Sequence, residues 1–281
     1  MGIEMNSRKL KYTKVFMILG VWLFAAPVFS QVDTYEDCFS KKNNVDLKNM
    51  NKKQRGDAVD GGFYAIGARI PAGGMGWQTS FFRDRPPKFV VSKTKPKNQT
   101  HNEWATDTCL FNAYNVQDGQ DGTFWCEGVP GVGIGEVVVG LLDLENKNFF
   151  YILPGAFGLK KNFESYSRPS EIVVHYLIPG EIGVSQIGGR IFTNVGYFGK
   201  QSVKLNSEPG YQKIEIQPYK EILKDIKDME VVKVREGETL ILVAIEIKSV
   251  IEGKENKEHT CIAEIGNFKD EAFYKKATLR D

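Results

Sequence analysis

Leu240-Ile241-Leu242-Val243-Ala244-Ile245 is apolar at every position and turns amphipathic only at Glu246 and Lys248. Successive side chains of a strand point to opposite faces, so a run without a polar member is buried on both sides. The stretch therefore predicts a strand through the centre of a sheet. Working outward, β-branched and aromatic runs recur between turn residues from about Trp104 onward, over 136–144, 149–153, 171–178, 190–198, 211–217 and 239–251. That rhythm is the signature of a sandwich or barrel. In 211–217 the alternation puts Ile214 and Ile216 on one face and Lys213, Glu215 and Gln217 on the other, a half-exposed strand. Residues 219–229 gather Ile222, Leu223 and Ile226 at helical spacing, as a short surface helix would.

The N-terminal third reads differently. Residues 31–97 are polar, then glycine-rich around Pro71-Ala72-Gly73-Gly74-Met75-Gly76, then carry Pro86-Pro87, and only 62–70 looks like a strand. The expectation is an irregular extension over 31–103 that packs on a β domain over 104–268. Residues 269–281 are charged and read as a C-terminal tail.

Arg8, Lys9, Lys11 and Lys14 precede an apolar run over 15–29 that closes on Val28-Phe29-Ser30. This predicts a signal peptide over 1–30, cleaved after Ser30, and a secreted or periplasmic product. The run is shorter than the roughly 20 residues of a spanning helix, and Pro27 interrupts it. No later stretch is long and apolar enough to span, so the mature chain is expected to have no membrane span. Without 1–30 the chain keeps 33 basic and 34 acidic residues, a net charge of −1. Lysines interspersed with acids, as in Lys220-Glu221 and Lys224-Asp225, offer no electrostatic footprint for phosphate backbones, which excludes nucleic acid as the expected partner.

Cys38, Cys109, Cys126 and Cys261 all fall in the mature part, and no pair has zinc-knuckle spacing. An oxidising compartment predicts two disulfides, with three pairings open. The glycine-rich Gly128-Val129-Pro130-Gly131-Val132-Gly133-Ile134-Gly135 lacks the spacing of a dinucleotide fingerprint and the Lys-Ser/Thr of a P-loop, and a strand, not a helix, follows it. Its glycines serve positive φ in a loop entering that strand. Hydrolase elbows and zinc-protease helices are missing, and His101, His175 and His259 are the chain's only histidines. His175 sits in a strand pattern and the other two in polar loops, so no enzyme is expected. Asn98-Gln99-Thr100 is a glycosylation sequon. In 112–128, Asp118, Asp121 and Thr123 offer hard oxygen donors within one loop, which suits calcium and equally a plain Asp-Gly turn.

Asp118-Gly119, then Thr123-Phe124-Trp125-Cys126-Glu127-Gly128, then 131–136, resembles the discoidin-like module called the NADase-type glycan-binding domain. The likeness continues at Pro154-Gly155, Tyr166, Arg168-Pro169, 242–251 and 260–265, covering about 104–268. It implies a galactose-binding-like jelly roll of two antiparallel sheets, so the full expectation is an all-β, discoidin-like jelly-roll β-sandwich with an irregular N-terminal extension. Related modules share a structural calcium between the Asp-Gly turn and a Glu on the last strand, here Asp118, Thr123 and Glu264. Where such modules often place a further polar ligand, this chain has Gln120. If those segments meet, Cys126 and Cys261 come together, leaving Cys38 with Cys109 to tie the extension to the sandwich. In the family's namesake toxin such a module sits beside a separate NAD-cleaving domain, so binding carries over and catalysis does not.

Sugar recognition needs an aromatic platform and planar hydrogen-bonding groups on loops at one end of the sandwich. Tyr166, Arg168, Phe124, Glu127 and Trp104 are the candidates. Trp125, between a turn and a strand, reads as core, and Tyr166 with Arg168 fits equally a solvated loop whose arginine fixes a neighbouring carboxylate. The expected function is an exported, non-catalytic binding protein for a glycan. The alternative is a structural or adhesion module that binds a protein or another cell-envelope component.

Overall fold

The computed structural model describes residues 44–60, 62–66, 70–71, 76–82, 110–145, 147–184, 189–228, 239–267 and 272–281. All lie within the unit Val32–Asp281. The signal peptide expected over 1–30, and Cys38, Asn98, Trp104 and Cys109, lie outside the described residues. Among those residues, no helix is long and apolar enough to cross a membrane.

The chain is mainly β. Its strands are β1 (Phe63–Ile66), β2 (Ile70–Pro71), β3 (Trp125–Cys126), β4 (Val137–Asp143), β5 (Phe149–Pro154), β6 (Tyr166–Ile178), β7 (Glu181–Val184), β8 (Arg190–Thr193), β9 (Gly196–Lys204), β10 (Gln212–Glu215), β11 (Leu240–Ile251) and β12 (Asn256–Gly266). Among the described residues, two helices, α1 (Lys160–Ser165) and α2 (Tyr219–Asp228), and short 3-10 turns accompany the strands. As its sequence predicts, β11 runs between β4 and β6, antiparallel to both, with Leu240 to Ile245 buried throughout. Each such side chain contributes on the order of 1.5–3 kcal/mol by leaving water. In β10, Ile214 is buried while Lys213 and Glu215 are exposed, so the alternation also holds.

The large sheet is mixed and sandwich-like. One antiparallel set runs β4-β11-β6-β9 and another β10-β5-β12-β3, and the start of β6 pairs parallel with β12. Across the interior, a Cβ on Gly140 of β4 would stand 2.8 Å from Ile265 Cγ2 of β12, so glycine is required for the close approach. Beside it, the buried Gln117 amide donates to the carbonyls of Leu141 at 2.7 Å and Ile265 at 3.0 Å and accepts from the Leu141 N–H. A polar side chain deep in an apolar core persists when its groups are bonded in this way.

Several expectations need correction. The single strand expected over 190–198 is two, because Asn194 takes a left-handed φ of 51° and turns the chain out of its first sheet. β8 then joins a separate antiparallel sheet, β2-β1-β8-β7, and β9 joins β6. Residues 62–70, expected as one strand, contain β1 and β2, paired antiparallel. Within the extension, expected to pack on the β domain, Leu47, Met50, Val59, Phe63 and Trp77 are buried in the main cluster. Its residues 77–79 also bond the edge of β4, through Val139 N–H to Trp77 O at 2.7 Å and Thr79 N–H to Val137 O at 2.9 Å. The last residues, read as a tail, dock instead. Tyr274 stacks on Tyr151 at 4.5 Å, and Arg280 exchanges backbone hydrogen bonds with Gly158 and Lys160.

Candidate functional site

β3 and β12 pair with Cys126 opposite Cys261, and the two form a disulfide with both residues fully buried. The bridge sits in a second apolar cluster, with Phe111, Phe124, Leu153, Phe157, Phe163 and Ala263. Tyr166 opens β6 at the edge of this cluster, half-buried, 5.8 Å from the Phe124 ring and 6.3 Å from Phe111. Arg168 follows two residues on, so it shares the face of Tyr166. Its guanidinium lies 4.5 Å from the centre of the Phe163 ring, a cation over a π face. The structure thus brings Tyr166, Arg168 and Phe124 to one aromatic end, with Phe124 as buried support and Tyr166 and Arg168 as the partly exposed members.

Glu127 is placed otherwise. Its carboxylate is buried and accepts the N–H of Val129 at 2.9 Å and of Thr260 at 3.2 Å. Burial, helped by the nearby charge of Glu136, pushes its carboxyl up to about 7 against those two hydrogen bonds. Through these two bonds the side chain pins the loop 128–135 to β12. Gly133 makes room for it: a Cβ there would come 2.3 Å from Glu127 Cγ, and its φ is 68°. The glycines of this loop therefore serve conformation and packing, as the sequence predicts. Trp125 is wholly buried, with its indole N–H donated to Ser80 O at 2.9 Å.

The Asp-Gly turn reaches the last strand. Thr123 donates to Asp118 Oδ2 at 2.7 Å, the Gln120 N–H donates to Asp118 Oδ1 at 2.8 Å, and the Gly119 N–H lies 3.3 Å from Glu264 Oε1. Burial pushes the Asp118 carboxyl up to about 6 despite the first two of these bonds. The Tyr211 phenol beside them is raised well above its usual value by burial, then by the charges of Glu264, Tyr274, Asp121 and Asp118. Asp118, Glu264 and Thr123 offer two carboxylates and one hydroxyl, hard oxygens of the type calcium takes, though fewer than the roughly six to eight it needs. Among the described residues, no group of three or more His, Cys, Asp or Glu is arranged to hold a metal ion.

Sequence reasoning missed Phe163, Phe111 and Tyr211, which frame these two neighbourhoods. Phe163 lies in a six-residue helix, too short to show periodicity. Of the residues read as polar loop, His259 in fact belongs to β12, stacked on Phe82 at 3.7 Å. In comparison with known proteins, no family model and no curated sequence matches the chain.

Proposed function

We propose that the chain is an exported, non-catalytic glycan-binding protein that uses the Tyr166 and Arg168 end of a discoidin-like jelly roll. The observation that carries this reading is the pairing of a partly exposed tyrosine ring with a stacked guanidinium on one face of β6, over an aromatic floor. An aromatic face packs against the apolar face of a sugar ring, and a planar cation fixes its oxygens. The resemblance to NADase-type glycan-binding modules supports the same assignment. The segments that carry it meet at the Cys126–Cys261 bridge and at Gly119 and Glu264. Asp118, Thr123 and Glu264 would hold a structural calcium that stiffens the loop beside this end. A buried disulfide is compatible with an oxidising compartment outside the cytoplasm.

The test is a glycan array probed with the mature protein, with calcium and with chelator, beside Tyr166→Ala. Selective binding by the native chain that Tyr166→Ala loses, at an unchanged melting temperature, is the expected result. A blank from folded protein sinks the reading and favours a protein or envelope partner.

A further inference from the structure

Arg55 shows how an arginine of this chain is ordinarily compensated. Arg55, about half exposed, makes an ion pair with Asp225 at 2.7 Å and another with Glu221 at 3.6 Å. Arg168 is the contrast. It is the more buried of the two, its Nε is out of contact with solvent and makes no hydrogen bond, and no carboxylate stands within ion-pair distance among the described residues. Two acids of the neighbouring segments are committed elsewhere: Glu164 to Lys254 at 2.6 Å and Glu255 to Ser165 at 3.2 Å. Desolvation alone acts on its guanidinium, lowering its pKa, with no acid to offset it. Among the described residues, the fold therefore gives this arginine no carboxylate to fix.

A partly desolvated cation without a counter-charge is a standing cost, since buried charges are ordinarily paired. The packing gains little from the charge. The contact with Phe163 offsets only a small part of that cost, and Ser165 and Ser167 already tie this edge to 253–257 through hydrogen bonds with Asn256, Lys257 O and the Gly253 N–H. The contact with Phe163 also restrains the guanidinium, and restraint of this kind favours bidentate recognition of an oxyanion.

We propose that Arg168 is the anchor for an oxyanion, a carboxylate or sulfate ester, carried by the saccharide that Tyr166 stacks against. The proposal rests on the glycan reading of this end and adds the class of sugar: acidic rather than neutral. The missing counter-charge is supplied by the ligand, so a neutral analogue leaves the guanidinium uncompensated and binds less well.

Matched sets on the array test this, each set sharing one neutral core and differing only in a carboxylate or a sulfate ester. The expected result is that one or both acidic forms bind at least about tenfold more tightly than the neutral core, as one charge-assisted bidentate contact supplies. Arg168→Gln should abolish that ratio while retaining weak binding to the core, and Tyr166→Ala should lose both. Which acidic form wins separates carboxylate from sulfate recognition. Equal binding of neutral and acidic forms, unchanged in Arg168→Gln, overturns the inference and leaves the glycan reading standing. If nothing on the array binds, the glycan reading fails, and melting temperatures of native and Arg168→Gln protein in glucuronate and in sulfate, against chloride at equal ionic strength, decide the anion site. A rise confined to the native chain upholds it, and identical responses overturn it.

Discussion

The side-chain amide of Asn51 donates to both carboxylate oxygens of Glu246, at 2.6 and 2.7 Å, across 195 residues of sequence. On its inner side the same carboxylate meets His175 Nε2 at 2.9 Å, and His175 Nδ1 reaches Tyr197 OH at 3.1 Å. Burial pushes the Glu246 carboxyl up, but the hydrogen bonds from His175 and Asn51, with the charges of His175 and Lys248, outweigh it and hold the group below its usual value. A network spanning the N-terminal extension, β6, β9 and β11 thus fastens the extension to the sheet.

Breaking that fastening has a graded effect. Asn51 is exposed, so water replaces its amide in Asn51→Ala, and the loss is about 1 kcal/mol. Glu246→Leu strands the buried His175 and costs on the order of 3 kcal/mol. Chemical denaturation of the two variants and the double variant checks the coupling: adding Asn51→Ala to Glu246→Leu should cost almost nothing further.

What the sequence makes legible follows from how uniformly each stretch is surrounded. β11 is readable because both its faces are dry over 240–245, so no polar residue interrupts the run, and β10 because one face is wet. β12 is obscured because its first half, with Asn256, Lys257 and Glu258, is exposed and only its second half enters the core. The extension hides its contribution for a related reason: Leu47, Met50 and Trp77 are single anchors set among polar residues, with no period to detect. At the candidate site, Tyr166, Phe124 and the Asp118 turn stand out through their resemblance to a known pattern. Phe163 sits in a helix too short to carry a period, Tyr211 reaches the site only through long-range packing, and the burial of Glu127 depends on Gly133 leaving it room.

The buried Glu127 carboxylate predicts a pH dependence with a definite sign. Its carboxyl titrates near 4.5 when unfolded and at about 7 when folded, so between those values the folded state holds a proton that the unfolded state has released. Its contribution is fully present below about 4.5 and is lost as pH rises through 7. Glu127→Gln removes this titration. Melting temperatures from pH 5 to 8 should fall for the native chain and fall less for the variant; parallel curves would refute the assignment.

The Cys126–Cys261 bridge closes a loop of 135 residues that includes most of the β core. Cross-linking over such a separation restricts the unfolded chain, and its removal typically costs about 2–5 kcal/mol. Cys126→Ala with Cys261→Ala should lower the unfolding free energy by an amount in that range, with a matching fall in melting temperature. Because both sulfurs are buried, reductant alone should leave the native melting curve unchanged until unfolding begins. A free-thiol assay during the melt distinguishes the two.

The face-to-face packing of β4 on β12 makes the last prediction. Gly140→Ala places a methyl 2.8 Å from Ile265 Cγ2 and 3.2 Å from Ile265 Cβ. Because Ile265 is buried and branched at that carbon, it cannot swing aside, and overpacking of this kind costs about 1–3 kcal/mol. Ile265→Ala alone leaves a cavity and costs about 2–5 kcal/mol. If the two residues oppose each other across the interior, the alanine at 140 fills part of the space vacated at 265. The double variant should then be more stable than the sum of the single losses allows, by about 1 kcal/mol or more. Strict additivity in urea denaturation would mean that these strands do not face one another, and with that the sandwich reading would fail.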